Sequence, residues 1–292
     1  MTHKLLINLL LLLLVAGLGL LAWLQPGKEA EAQLQPLTSR SPAEVRRLVI
    51  QPTEGANLSF ERQAGRWQMT EPYAMPANAV KLDALARVVE APMLNSFPLV
   101  EERRAEFGLD RPIRLQLDEL EFAFGGNDPI NYHRYVGFNG QLALIVDRFF
   151  HHLSAPAEQL LSPGLLPEGA RLSEIQTPKY RLQRGQGGWQ LEPANPKLGG
   201  DELSGQAEQW AMAQGLAVER FESVEPADQT AGQVQIRLDS GAQFSFKIVQ
   251  RDQATWLVRS DNGIGYRLPA ETNLLEPPQP PAPTPADSKP DA

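Results

Sequence analysis

The chain repeats itself at a spacing of about 122 residues, and this duplication constrains its fold more than any other feature of the sequence. Trp67 and Trp189 lie 122 residues apart, and each follows a glycine turn and precedes a Glu-Pro pair. Further matches come in the same order at nearly the same spacing: residues 114–118 with 235–239, 122–124 with 244–246, and 135–136 with 256–257. Because chance rarely produces such a series, we predict a tandem duplication.

Each copy predicts a hairpin followed by one helix. In the first copy, residues 58–63 and 66–70 alternate around a glycine turn, which is typical of a β-hairpin. Asn78 is expected to cap a helix that Pro92 ends. In the second copy, Asp201 is expected to cap the equivalent helix, which runs until Gly215.

A meander of four strands is predicted after each helix. Asn-Gly pairs at residues 139–140 and 262–263 indicate type I′ turns, since both central residues of that turn need positive φ. Each copy is therefore expected to be an α+β unit of mostly antiparallel sheet with one packed helix, over residues 45–148 and 170–275. The predicted strands are residues 113–117, 120–124, 134–138 and 142–146, then 234–238, 243–249, 255–259 and 266–268.

Aromatic residues recur at equivalent positions of the two copies. Trp67 matches Trp189, and Tyr135 matches Trp256. Both copies must fill the same space under their helix, so we interpret these four residues as core anchors. Exposed rings would instead indicate a platform for a sugar or peptide. Trp210 has no aromatic counterpart and is predicted at the interface between the copies.

An apolar run over residues 5–24 precedes the two copies. As a helix, a run of this length reaches about 30 Å, the thickness of a bilayer's hydrocarbon core. We predict an uncleaved transmembrane anchor, with residues 1–4 in the cytoplasm because Lys4 precedes the run. The expected location is the inner membrane, with one pass and a periplasmic body. A cleaved signal peptide stays open as the alternative, since residues 30–32, Ala-Glu-Ala, offer a cleavage site.

Three segments of different character connect or follow these parts. Residues 25–44 lack periodicity and predict a linker between anchor and body. Residues 149–169 are expected to form a connecting helix and linker between the copies. Residues 276–292 are rich in proline, which predicts an extended, solvated and disordered tail.

Composition excludes several classes of function. The chain has 27 Lys and Arg against 35 Asp and Glu, a net charge of −8 without any basic cluster, so we expect no nucleic-acid partner. It has no cysteine, which excludes disulfides, thiolate metal sites and iron–sulfur clusters.

No catalytic, cofactor-binding or metal-binding residue is predicted. His151 and His152 are adjacent, so they do not form the i, i+4 pair that zinc sites use. The glycine-rich residues 125–129 lack the lysine of a phosphate-binding loop and are typical of a turn. A weak metal or proton-transfer role for His133 with Asp128 is the alternative left open.

The hairpin ending in Gly-x-Trp-x-Met, the following Glu-Pro pair and the element Phe-Gly-Leu-Asp-Arg-Pro at residues 107–112 resemble the DUF4340 family, over roughly residues 45–270. Phe124 with Gly125 and Tyr135 with Val136 extend the resemblance. The second copy lacks the element and has Val-Glu-Pro-Ala-Asp at residues 224–228. The family is of unknown biochemical function. The resemblance implies a membrane-anchored, extracytoplasmic protein, often encoded beside ABC-transporter components.

We therefore predict a non-enzymatic interaction or assembly protein, accessory to an ABC-type transport system, whose partner is a membrane or envelope protein. Asp110, Arg111 and Asp128 are the predicted partner surface, because they lie in segments specific to the first copy. Asp110 is also interpreted as a residue that caps a backbone turn. The alternative function is an envelope hydrolase or a solute-binding subunit with its site in the cleft between the copies.

Overall fold

The computed structural model describes residues 2–24, 34–222 and 229–280. Its helices are α1 Thr2–Leu24, α2 Ala79–Ala86, α3 Phe150–Leu153 and α4 Gly200–Met212. In the described parts of the chain, none of the helices combines the length and the apolarity that a membrane crossing requires. Much of the predicted linker and tail, and the segment at residues 224–228, lie outside the described residues.

Unit one, residues 47–145, contains a nine-stranded antiparallel sheet. Its strands are β1 Arg47–Gln51, β2 Leu58–Gln63, β3 Arg66–Glu71, β4 Met75–Pro76, β5 Met93–Pro98, β6 Ile113–Leu117, β7 Leu120–Asn127, β8 Arg134–Phe138 and β9 Gln141–Ile145. Their spatial order is β4-β3-β2-β1-β6-β7-β8-β9-β5. The predicted hairpin and meander are present, and β1 joins them at the centre of the sheet.

Unit two, residues 172–267, repeats this topology in an eight-stranded antiparallel sheet. Its strands are β10 Leu172–Gln176, β11 Arg181–Gly185, β12 Gly188–Glu192, β13 Val218–Arg220, β14 Gln229–Leu238, β15 Gln243–Arg251, β16 Ala254–Arg259 and β17 Ile264–Arg267. Their order, β12-β11-β10-β14-β15-β16-β17-β13, equals that of unit one without β4. The predicted α+β class and the two similar sheet units are therefore confirmed.

The two predicted Asn-Gly turns have different geometries. Asn139 and Gly140 have φ values of +47° and +72°, as a type I′ turn requires. At the second position only Gly263 has positive φ, at +73°, so the type I′ prediction is wrong there. The side chain of Asn262 instead accepts a hydrogen bond from the Ile264 N–H at 3.0 Å.

The predicted helix cap is observed in unit one, whereas in unit two a different residue caps the helix. The Asn78 side chain accepts a hydrogen bond from the Lys81 N–H at 3.2 Å, which confirms the predicted cap. In unit two the cap is Gly199, and Asp201 lies inside the first turn of α4. The Gly199 N–H is satisfied by the Glu202 carboxylate at 2.7 Å.

The predicted connecting helix is broken into short pieces. Helix α3 has only four residues, and a 3₁₀ turn, Ala157–Leu160, follows Pro156. Proline removes a backbone donor and clashes with a preceding helical turn, so one continuous helix cannot form. The segment from residue 150 to residue 170, which we call the connector, nevertheless contributes buried leucines to the core: Leu153, Leu160, Leu161, Leu165 and Leu166.

The connector is hydrogen-bonded to both units. Ala77 pairs with Leu161 on the side of unit one, and Gly164 pairs with Gln214 on the side of unit two. The buried apolar residues of both units and of the connector form one contiguous cluster. Trp210 lies in the part of this cluster that belongs to unit two, where its indole N–H bonds Tyr180 at 2.8 Å. Trp210 is therefore a core residue, and its position at the interface between the copies stays a prediction.

The matched tryptophans differ in burial. Trp67 is 3% exposed and its indole N–H donates to Asp83 at 2.9 Å, which confirms a core anchor. Trp189 is only partly buried, because its strand β12 lies at the edge of the sheet. Equivalence in sequence therefore does not bring equal burial.

The described ends of the linker and tail pack on the body. Leu37 is buried, and its N–H donates to the carbonyl of Ala91 at 2.9 Å. At the other end, Glu276 forms an ion pair with Lys179, and Pro278 is buried. The predicted solvated tail therefore does not apply to Pro278.

Candidate interaction surface

The Phe-Gly-Leu-Asp element covers the face of sheet one opposite α2. A 3₁₀ helix, Glu101–Phe107, ends at Gly108, whose φ of +67° is the left-handed conformation expected of a helix stop. Leu109 is then 1% exposed and packs against Ala123 and Leu142. The element thus closes a small second core on the back of the sheet.

Glycine is required where this element meets strand β7. A Cβ on Gly125 would lie 2.2 Å from the Phe107 carbonyl oxygen, and a Cβ on Gly108 would lie 2.7 Å from the Gly126 nitrogen. Real side chains do not come this close, so the two backbones can meet only because these positions carry no side chain. The contact places residues 107–111 beside the end of β7, where the next loop begins.

Tyr135 and Trp256, the other matched aromatic pair, occupy this same back face in their units. Tyr135 meets Phe107 edge-on at 5.1 Å between ring centres. Trp256 meets Phe221 at 5.3 Å in unit two. Both are packed residues, as predicted, but they lie on the face away from the helix.

The predicted partner residues Asp110 and Arg111 are exposed. Arg111 has 69% of its side chain accessible and reaches only Glu54, which is also exposed, at 3.4 Å. Asp110 makes no side-chain hydrogen bond with a described residue, so its interpretation as a cap is wrong. Its side chain lines an open groove of about 540 Å³ together with Glu101, Arg104 and Arg114. Both charged side chains are therefore accessible at the surface.

Asp128, the third predicted partner residue, is half-buried and shapes the β7–β8 loop. Its carboxylate accepts a hydrogen bond from the Asn131 N–H at 2.7 Å, and its own N–H donates to the His133 carbonyl at 2.7 Å. Among the residues that the structure describes, no group of three His, Asp or Glu side chains is placed to hold a metal ion. The hydrogen bond from Asn131 shows that the carboxylate of Asp128 orders the turn of this loop.

Two large apolar side chains of the β7–β8 loop are exposed. Ile130 is 79% exposed and Tyr132 is 72% exposed. In unit two the equivalent connection, between β15 and β16, is a tight turn at Asp252 and Gln253, both with positive φ. The loop at residues 128–132 is one of the segments specific to the first copy that the sequence assigns to the partner surface, although Asp128 alone is predicted from it as a partner residue. The exposure of Ile130 and Tyr132 adds two apolar side chains to that loop.

A buried guanidinium holds the base of this loop. Arg134 donates to the Gly125 carbonyl at 2.6 Å and to the Asp147 carboxylate at 2.6 Å. Its guanidinium carbon also lies 3.7 Å from the centre of the Phe150 ring. Charge-assisted bonds of this kind are strong when little water reaches them. The exposed loop therefore rises from a rigid base.

The remaining histidines lie away from this surface. His151 and His152 are in α3, with their ring centres 3.8 Å apart. Burial, the neighbouring His151 and Lys81 lower the pKa of His152 to about 4. His152 is therefore neutral at physiological pH, and its environment resists a second positive charge.

We call Asp110, Arg111, Ile130 and Tyr132 the loop surface. Ile130 and Tyr132 supply its apolar part, and Asp110 and Arg111, on the segment beside the end of β7, supply its charges. The profile of the family described as "Domain of unknown function (DUF4340)" matches residues 67–239, which include the whole loop surface. No curated protein and no solved structure matches the chain. Since the profile covers more than half of the sequence, the chain belongs to the DUF4340 family.

Proposed function

We propose that this protein is a membrane-anchored, extracytoplasmic interaction protein without enzymatic activity, accessory to an ABC-type transport system. The observation that carries the proposal is the exposure of Ile130 and Tyr132 on a loop whose base is fixed by Arg134. Binding through this loop would place the partner on unit one, where the copies differ.

The loop surface has the composition of a protein-binding patch. Tyrosine is enriched among the residues that dominate binding energy, and burying a large apolar side chain contributes about 1.5–3 kcal/mol. Asp110 and Arg111 supply the charged rim that orients a partner. A loop already ordered by Asp128 loses little conformational freedom on binding, which favours affinity.

The proposed anchor rests on the sequence of residues 5–24. Helix α1 covers this run, and several of its large apolar side chains, among them Leu12 and Leu13, are exposed rather than packed on the body. A periplasmic body tethered in this way would meet membrane proteins that share the same surface. Fractionation tests this part: an anchored chain starts at its own N-terminus and resists carbonate washing, whereas a mature N-terminus near residue 33 in soluble extract would contradict it.

Cross-linked co-purification from membranes of the source organism tests the partner surface. We expect transporter subunits to be recovered with the native chain and to be lost with the double variant Ile130→Ser, Tyr132→Ser. The matched control is Val80→Ser with Met212→Ser, because both of these residues are also highly exposed but lie elsewhere. Equal recovery with both double variants would contradict the proposal.

A solute-binding role is the alternative, and one cavity favours it. About 550 Å³ of open space lies in unit two between strands β15 to β17 and residues 268–276, with Arg267 and Lys179 at its wall. The connector, by contrast, is hydrogen-bonded to both units and contributes buried leucines, which supports the interaction role over a site between the copies. The alternative would be favoured if an Arg267→Gln variant still recovered the partner in this experiment but no longer supported the cellular function of the native chain.

A further inference from the structure

The two sheets have four edges, and three of them carry features that prevent pairing with another strand. β4 has only two residues, one of them Pro76, and β13 has only three residues. β5 has an irregular register between Met93 and Asn95 and ends at Pro98. Short strands, prolines and bulges are the usual protection of a sheet edge.

The fourth edge, β12, has none of these features. Its five residues pair with β11 in regular register around a two-residue turn, and they include no proline and no lysine. Charge is confined to Glu192 at its end. Natural sheets rarely have such an unprotected edge strand unless another strand pairs with it.

The register shows which backbone groups of β12 are free. Gln183 and Gln190 form a hydrogen-bonded pair of the hairpin, because they lie two positions from the closing pair Gly185 and Gly188. The N–H and C=O groups of Trp189 and Leu191 therefore point away from β11. They make no backbone hydrogen bond to a described residue on that side.

In unit one another strand pairs with the edge that is equivalent to β12. There the equivalent strand, β3, is covered by β4: Met69 pairs with Met75, and the Trp67 carbonyl accepts the Ala77 N–H at 3.0 Å. Unit two has no strand in the place of β4. The edge of β12 is thus the one position in the duplicated topology where the same backbone groups lack the strand that their counterparts have, among the residues described.

We propose that β12 pairs antiparallel with β12 of a second copy of this chain, so that the two sheets continue across a two-fold axis at Gln190. In this register Trp189 faces Leu191 of the second copy in hydrogen-bonded pairs. Gln190 faces itself, and Glu192 faces Gly188, so no like charges meet. The strand is therefore self-complementary in hydrogen bonds, apolar pairs and charge.

A single cysteine tests this geometry in the full-length chain, which has none of its own. Opposite residues of a non-hydrogen-bonded antiparallel pair have Cα atoms about 4.5 Å apart, within the range of a disulfide. We expect Gln190→Cys to give a disulfide-linked dimer under mild oxidation. Gln68→Cys, at the equivalent position of the covered edge, should stay monomeric. Equal cross-linking of both variants would overturn the proposal.

Charge exchange provides a second test that does not depend on oxidation. In sedimentation of the detergent-solubilised chain, Gln190→Lys and Gln190→Glu should each weaken self-association at least tenfold, and mixing the two variants should restore it. Gln68→Lys should leave self-association unchanged. A native chain that stays monomeric at high concentration would overturn the second copy as the occupant and point to an extended segment of another protein.

Discussion

The indole N–H of Trp210 donates a hydrogen bond of 2.8 Å to the hydroxyl of Tyr180, and this bond joins helix α4 to the start of β11. The same hydroxyl accepts the Gln206 amide at 2.8 Å and donates to the Leu274 carbonyl at 2.7 Å. Burial raises the pKa of Tyr180, so the phenol keeps its proton and remains a donor. One oxygen therefore satisfies three buried groups.

Tyr180→Phe should destabilise the protein by about 1–3 kcal/mol, because it leaves the buried Trp210 N–H without its partner while preserving the ring. Gln206 and the Leu274 carbonyl lose their bonds to the hydroxyl but keep the 3.3 Å bond between them. Urea unfolding of the variant measures this cost. Tyr73→Phe is a suitable control, since Tyr73 is less buried and its hydroxyl donates to the Glu158 carboxylate. A cost no larger than that of the control would show that the network contributes little.

Trp67→Ala should cost about 3–5 kcal/mol, the usual range for truncating a buried aromatic residue. Trp189→Ala should cost about 1–2 kcal/mol, because its ring is already partly in water. Both values follow from thermal or chemical unfolding of dilute protein, where self-association is absent. Equal costs would mean that the difference in burial between Trp67 and Trp189 does not affect the free energy of unfolding.

Gly125→Ala should destabilise the protein by about 3 kcal/mol, because its Cβ would lie 2.2 Å from a backbone oxygen that cannot easily move. Gly126→Ala is the matched control: its nearest neighbour would be at 3.6 Å, an ordinary contact, and we expect a change within about 0.5 kcal/mol. Comparable melting temperatures for the two variants would contradict the close approach of the two segments.

Changing Asp110→Asn and Arg111→Gln together should leave the thermal midpoint nearly unchanged, because exposed ion pairs contribute about 0–1 kcal/mol. The same double variant should weaken partner recovery. Arg134→Gln provides the contrast, since it removes a buried cation from Asp147 and should lower the midpoint strongly. A large loss of stability in the double variant would instead assign residues 110–111 to the scaffold.

Stability should fall as pH falls from about 6.5 to about 4, because the pKa of His152 is lowered from 6.5 to about 4 in the folded state. In that window the unfolded chain binds a proton that the folded chain resists, since the ring is partly buried and His151 and Lys81 lie beside it. Above pH 6.5 the contribution is fully present. His152→Gln should make urea-unfolding stability less steep over this window, and an unchanged slope would refute the assignment.

Features that depend on neighbouring residues could be predicted from sequence. Asn78 caps α2, Gly108 stops the 3₁₀ helix, and Asn139 with Gly140 makes the hairpin turn, since each needs only a few adjacent residues. The repeated spacing also predicted two sheets of one topology. Local pattern and duplication together were therefore sufficient for the fold class.

Features that depend on distant pairing could not be predicted. Strand β5 is flanked by Pro92 and ends at Pro98, with polar Asn95 between them, so its sequence resembles a linker. It becomes a strand because it pairs with β9, far along the chain. The cap of α4 was assigned to Asp201 instead of Gly199 because an acidic side chain is the commoner signal.

The candidate surface was predictable only in part. Asp110 and Arg111 are exposed, in agreement with a surface role. The loop at residues 128–132 could be recognised from sequence as specific to the first copy, but Ile130 and Tyr132 were not named within it because apolar residues in a sequence suggest burial. The contacts of Asp128 and Arg134 fix the loop that carries them. Exposure of a large side chain is a tertiary property that composition does not reveal.

The connector joins the two units, and we expect them to unfold cooperatively. Because Leu161 pairs with Ala77 and Gly164 pairs with Gln214, a separated unit would lose a hydrogen-bonded neighbour and expose the connector's leucines to water. We therefore expect the duplicated halves to share one melting transition. On this view the duplication has produced two units that depend on each other to fold, in contrast to two independently folding domains.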